Sequence, residues 1–133
     1  MKQMPLVIIF LLIPLFGCAS IDESELYGHY IIEFPFGSEE LILYENGTYK
    51  QIIKIKNKKD SIFEYTNTWK YDNEYDNIAL NEGLLLTKGF CEFNDEYKIP
   101  FKGRVLCGII KYTPFESIRL SAGCETVFYT KVK

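Results

Sequence analysis

The chain has 133 residues, 47% of them hydrophobic and 25% charged, which excludes a disordered or fibrous chain and two packed domains. A net charge of -3 provides no cationic surface for phosphates, so we expect no nucleic-acid partner. The 16% aromatic share, with ten Tyr and ten Phe against one Trp, favours strands, because flat rings suit a pleated surface.

The first seventeen residues have the organisation of a signal peptide. Lys2 precedes an uncharged apolar run, Leu6 to Phe16, which is too short for a permanent span of about 20 residues. The run ends in Leu15-Phe16-Gly17-Cys18, which resembles the lipobox of bacterial lipoproteins. The resemblance implies cleavage after Gly17 and acylation of Cys18. An ordinary secretory signal is the alternative, but it prefers a small residue where Leu15 stands.

The lipobox resemblance also implies a location. Two or three acyl chains on Cys18 hold a protein stably on a membrane. Ala19 follows the cysteine, and an Asp that retains some lipoproteins at the inner membrane is absent there. We therefore expect a lipid-anchored protein of the bacterial cell envelope, at the outer membrane, with the periplasmic or surface face left open. We expect a signal peptide over residues 1–17, an acylated tether over 18–26 and a barrel domain over 27–133.

Along the mature chain, apolar residues recur with a spacing of two, and turn residues separate the runs. The firmest structural prediction is a hairpin at Asn46-Gly47, expected as a type I′ turn in which both central residues have positive φ. The strand that follows has Tyr49, Gln51, Ile53 and Ile55 on one face and lysines on the other. The lysine face is expected to contact solvent.

The next run is rich in aromatic residues on one face. That face carries four rings, Phe63, Tyr65, Trp69 and Tyr71. These rings could line a barrel mouth for a small hydrophobic ligand, but eight-stranded barrels are often filled by side chains, and a filled interior is the favoured interpretation of this face.

The later runs complete the predicted fold. Short runs at 90–93, 97–101, 105–112, 117–121 and 126–132 bring the total to eight to ten strands without a helical layer. Closure of the sheet into a barrel pairs the two edge strands, so that no strand edge of such a chain stays exposed. We predict an all-β fold, an antiparallel meander closing into a small up-and-down β-barrel of about eight strands. A two-sheet sandwich is the alternative.

Several of these runs also carry a family resemblance. They are Gly28-His29-Tyr30, the segment from Leu41 to Tyr49, Thr68-Trp69, and Phe128 to Val132. Together they resemble the small lipocalin-like (calycin-like) lipoproteins of bacteria. The resemblance implies a barrel. Its motifs mark strands and turns and do not form a catalytic set, and fold alone does not name a function.

Few residues have the side chains and spacing of a catalytic or metal-binding site. His29 is the single histidine, and the cysteines lack metal-ligand spacing, so a catalytic triad and a zinc site are not expected. Asp72, Glu74 and Asp76 alternate within a turn and are expected to be solvated.

We expect no cofactor, no metal and no enzymatic activity. The expected function is binding of a small hydrophobic ligand; the alternative is an interaction or inhibitor module that acts on an envelope protein through its loops.

Three further cysteines, Cys91, Cys107 and Cys124, would lie in an oxidising compartment. One disulfide is plausible, and Cys91 with Cys107 is the preferred pair. Three buried free thiols are an equally good alternative, because a regular meander would place these two cysteines about 10 Å apart.

Overall fold

The computed structural model describes residues 21–34, 37–56, 61–85, 101–124 and 127–132. These residues form one short 3-10 helix, Glu23–Leu26, and eight strands. In chain order the strands are β1 (Gly28–Phe34), β2 (Gly37–Leu43), β3 (Thr48–Ile55), β4 (Ser61–Asp72), β5 (Asn77–Leu85), β6 (Phe101–Ile110), β7 (Arg119–Cys124) and β8 (Val127–Lys131).

The eight strands form one closed barrel. Each strand pairs antiparallel with the next, and β8 pairs with β1 through Tyr30 opposite Lys131 and Ile31 opposite Thr130. The predicted up-and-down barrel is confirmed, and the sandwich is excluded. The architecture is compatible with a lipocalin-like fold. Among the described residues, no helix is long and apolar enough to cross a membrane.

Alternation along the strands decides which side chains fill the barrel. In β2 every second residue is buried, and in β3 the face with Tyr49, Gln51, Ile53 and Ile55 is buried as predicted. Directly opposed residues in an antiparallel pair share a face. Phe63, which pairs with Ile53, therefore points inward.

The hairpin at Asn46-Gly47 is confirmed, but its predicted turn type is wrong. Gly47 has φ +83°, whereas Asn46 lies outside the positive-φ region. The Gly47 amide donates to the Tyr44 carbonyl at 3.1 Å, and the Tyr44 amide donates to the Thr48 carbonyl at 2.9 Å. The loop is therefore a three-residue connection, a tight turn followed by a left-handed glycine, and only one residue needs positive φ.

One end of the barrel is closed by the residues that precede β1. Leu26 is completely buried, and its carbonyl accepts a 2.8 Å hydrogen bond from the Tyr30 hydroxyl. Two lysines bind Glu25. Lys111 Nζ donates to its carboxylate at 2.5 Å, and Lys131 Nζ donates to its backbone carbonyl at 2.6 Å. The described part of the segment predicted as a tether, residues 21–26, thus packs on the barrel.

The opposite end of the barrel is where β1, β3, β5 and β7 end and β2, β4, β6 and β8 begin. We call the end covered by the 3-10 helix the closed end, and we call the opposite end the open end because no helix among the described residues covers it. Buried side chains become slightly accessible toward the open end, from 0% for Tyr30 through 5% for Ile32 to 7% for Phe34. The predicted runs at 90–93 and 97–100 lie outside the described residues.

Candidate functional site

A buried carboxyl group lies halfway along the barrel interior. Glu39 of β2 is 3% exposed, and its Oε1 accepts hydrogen bonds from Gln51 Nε2 at 2.6 Å and from the Tyr129 hydroxyl at 2.8 Å. Gln51 comes from β3 and Tyr129 from β8, so the carboxyl joins strands on both sides of it. We call Glu39, Gln51, Tyr129 and the adjacent Cys107 the Glu39 cluster.

Burial dominates the electrostatics of the Glu39 cluster. It raises the pKa of Glu39 to about 7, although the hydrogen bonds from Tyr129 and Gln51 act in the opposite direction. It raises the pKa of the Cys107 thiol to about 12, and the pKa of Tyr129 lies well above its usual value. Near neutral pH the Glu39 carboxyl can therefore hold or release a proton, while its neighbours stay neutral.

Gly83 of β5 provides room beside the cluster. A Cβ at this position would lie 2.7 Å from Val105 Cγ2 and 3.3 Å from Gln51 Oε1. A side chain at Gly83 would therefore have to displace both neighbours, and Gln51 owes its position next to Glu39 partly to this glycine.

The barrel wall opens between β4 and β5 at the level of this cluster. Among the described residues, the backbone ladder between these strands runs from Asp72–Asn77 to Trp69–Leu80 and stops there. Beyond it, side chains bridge the two strands: Asn81 Nδ2 donates to Asn67 Oδ1 at 3.3 Å, and the Tyr65 hydroxyl donates to Glu82 Oε2 at 3.3 Å. We call these four residues, Tyr65, Asn67, Asn81 and Glu82, the β4–β5 gap.

An irregularity in β5 produces the gap. The register with β6 shifts between Leu80 and Gly83, and Glu82 has φ +53°, a left-handed conformation that is unusual for a residue with a side chain. The Asn81 carbonyl accepts a 2.9 Å hydrogen bond from the buried Tyr49 hydroxyl. The buried Tyr49 of β3 thus provides a hydrogen-bond donor for the carbonyl at the irregular position of β5.

The gap continues into a groove on the outer wall. This groove has a volume of about 680 Å³ and is lined by residues of β4, β5 and β6, among them Trp69, Lys70, Leu80 and Arg104. Trp69 and Leu80, which also line the groove, belong to the buried core and are 5% and 0% exposed, so the groove lies against the core without opening into it.

The predicted aromatic face of β4 is present, but its four rings do not form one site. Trp69 is buried, and Phe63, Tyr65 and Tyr71 are half-buried against the core. The Trp69 indole donates to the Tyr44 carbonyl at 3.0 Å, which fixes this ring at the closed end with Tyr71. Phe63 and Tyr65 lie on the other side of Trp69, toward the open end and the gap. Eight residues of strand span about 26 Å, so Phe63 and Tyr71 cannot contact one small ligand.

The other residues singled out from the sequence lie outside this site. His29 Nε2 is 3.7 Å from Glu40 Oε2 and has no hydrogen-bond partner among the described residues. Asp72 Oδ1 accepts from the Glu74 amide at 3.0 Å, an ordinary turn contact, and no metal-binding group of acidic, His or Cys residues occurs among the described residues. Cys107 is completely buried. Cys91 and Cys18 lie outside the described residues, so the Cys91–Cys107 pairing and lipidation remain predictions.

Comparison of this chain with protein-family models, curated proteins and solved structures finds no match.

The sequence predictions did not include Glu39 as a site residue. In this region they used only the residues from Leu41 onward, although the spacing of Glu39, Leu41 and Leu43 places all three on one face. Extending that alternation by two residues would have revealed an inward carboxyl. Its contact with Tyr129, 90 residues away, required closure of the barrel.

Proposed function

We propose that this protein is a membrane-anchored lipoprotein of the bacterial cell envelope whose non-catalytic, lipocalin-like barrel binds a small hydrophobic ligand. One observation carries the ligand-binding part. The inner face of β4 passes from the buried Trp69 to the half-buried Tyr65 and Phe63 at the point where β5 separates from β4. Apolar rings beside an opening in a barrel wall, with a few polar groups nearby, are the usual composition of a ligand site.

The Glu39 cluster restricts the chemistry of the ligand. Its inward groups are a carboxyl, an amide, a phenol and a thiol, and none of them is a cation. Lys131 is at the closed end and is bound to the Glu25 carbonyl. An anionic head group placed near Glu39 would be desolvated without a counter-charge, so the proposed ligand is neutral or carries an amine.

Binding can be tested with three ligands of equal chain length, an alkanol, an alkylamine and a fatty acid, each competing with a fluorescent hydrophobic probe. Phe63→Ala should weaken alkanol binding about tenfold, because removal of a contacting ring costs roughly 1.5 kcal/mol or more. Tyr71→Ala is the matched control, because Tyr71 is also a half-buried inward ring of β4 but lies at the closed end. Equal effects of the two substitutions, or no binding of any of the three ligands, would refute ligand binding at this site.

The proposed anchor has its own test. Cys18→Ala should leave a precursor that retains residues 1–17 and carries no acyl chain, because lipobox cleavage needs the modified thiol. Intact-mass measurement distinguishes the two forms. Release of a normally cleaved mature form from this variant would rule out the lipoprotein assignment.

A further inference from the structure

Among the described residues, large exposed apolar side chains are concentrated at the closed end of the barrel, whose three loops are described in full. Four aromatic residues lie in the three loops there: Tyr44 (42% exposed), Tyr75 (71%), Tyr112 (77%) and Phe115 (97%). Val132, directly after β8, adds a fifth apolar side chain at the same end. Exposed apolar residues grouped on one face of a protein mark an interaction surface. We call the four rings the aromatic end.

The chain enters the described fold at this same end. Ile21 packs against the core, and the 3-10 helix that follows it covers the closed end. Only Ala19 and Ser20 separate Ile21 from Cys18. Three peptide units span at most about 11 Å, whatever their conformation. A lipid attached to Cys18 would therefore keep the closed end within about 11 Å of the membrane surface.

From these two observations we infer that the aromatic end is a membrane-contacting surface, which lies in the lipid interface and holds the barrel with its open end pointing away from the bilayer. The inference rests on the proposed lipid anchor but goes beyond it, because an anchor alone fixes no orientation. Tyr and Phe rings are well suited to this surface, since aromatic side chains favour the boundary between head groups and acyl chains.

The charges of the molecule restrict the type of membrane that the aromatic end can contact. Glu23, Glu45 and Glu74 are exposed at the closed end, whereas Lys54 and Lys56 lie near the open end. Carboxylates disfavour an anionic lipid surface, so the partner that these observations select is a zwitterionic bilayer. The lysines near the end of β3, which could otherwise suggest a head-group contact, face away from the membrane in this orientation.

The inference can be tested with the full-length acylated protein in phosphatidylcholine vesicles whose acyl chains carry bromine near the head group. Bromine quenches an indole only at short range. The single native tryptophan, Trp69, is 5% exposed but lies at the closed end, so its own quenching is measured first in the natural protein and is the baseline for the variants. Phe115→Trp and Tyr75→Trp place a second indole on two different loops of the aromatic end. Ile62→Trp, at an exposed outer position near the open end, is the matched control.

We expect clear quenching of the indoles introduced at positions 115 and 75, with a shift of their emission to shorter wavelength, because interfacial groups are buried about 5–10 Å deep. The indole at position 62 should match the baseline. Absence of quenching at position 115 or 75 in a protein that stays on the vesicles would overturn the orientation and leave the surface to another partner. Protein that lacks acyl mass and washes off the vesicles would instead overturn the anchor, and the orientation with it.

Discussion

The Tyr129 hydroxyl donates a 2.8 Å hydrogen bond to Glu39 Oε1 across β1, and both side chains are enclosed by the barrel. This contact joins the last strand to the second strand, so it forms only when the barrel closes. A carboxyl group at this position couples the stability of the whole barrel to pH, because desolvation acts on its ionised form alone.

The first prediction concerns this coupling. The pKa of Glu39 is raised to about 7 in the fold from an ordinary value of 4.5. Between these two pH values the unfolded chain loses the proton and the folded chain keeps it, so stability falls as pH rises from 4.5 to 7 and then levels off. The loss should be about 3 kcal/mol. It is measured by urea unfolding across that range.

Glu39→Gln should remove most of this dependence and be as stable as the natural protein, or more so, above pH 7. The control is Glu33→Gln, which changes an exposed glutamate of the neighbouring strand and should retain the decline. A decline that persists unchanged in Glu39→Gln would show that another group causes it.

A second prediction separates the effect of the Tyr129 hydrogen bond on the pKa of Glu39 from the effect of burial. The Tyr129 hydroxyl lowers the pKa of Glu39, so Tyr129→Phe should raise that pKa further. The variant should lose roughly 2 kcal/mol at pH 8, where the phenol binds a carboxylate, and about half as much at pH 4. Unfolding at the two pH values measures the difference. Tyr112→Phe, at an exposed phenol, should change neither value. Equal losses at pH 4 and pH 8 would mean that only packing is affected.

The sequence predicted the elements better than it predicted the site, and the difference has a physical cause. Alternation is local, so the inward face of β3 and the hairpin near Gly47 could be recognised within a few residues. The β4–β5 gap depends on a register shift and on the left-handed Glu82, which neither periodicity nor composition reveals. The partners of Glu39 are 12 and 90 residues away, and only the closed barrel brings them together.

A third prediction tests the left-handed turn. Gly47 has φ +83° with nothing within 4 Å of an added Cβ, so Gly47→Ala introduces backbone strain without a clash. The expected cost is about 1 kcal/mol. Gly108→Ala is the control, because its Cβ would lie 3.6 Å from Ser121 Cβ, an ordinary contact, at a residue without positive φ. That variant should be neutral or slightly more stable. Similar melting temperatures for the two variants would contradict the assigned turn.

The last prediction concerns the 3-10 helix that covers the closed end. The Lys111 side chain is 8% exposed and binds the Glu25 carboxylate at 2.5 Å, so the pair is shielded from solvent on the lysine side. Lys111→Met should cost roughly 1–3 kcal/mol, because a partly buried carboxylate loses its partner, and it should loosen the 3-10 helix. Faster amide hydrogen exchange at Leu26 reports that loosening directly. Lys50→Met is the control: Lys50 pairs with Glu64 at 3.5 Å across an exposed surface, and such pairs contribute less than about 1 kcal/mol. If both variants leave exchange at Leu26 unchanged, the cover is held by the burial of Leu26 and the Tyr30 hydrogen bond instead of by the ion pair.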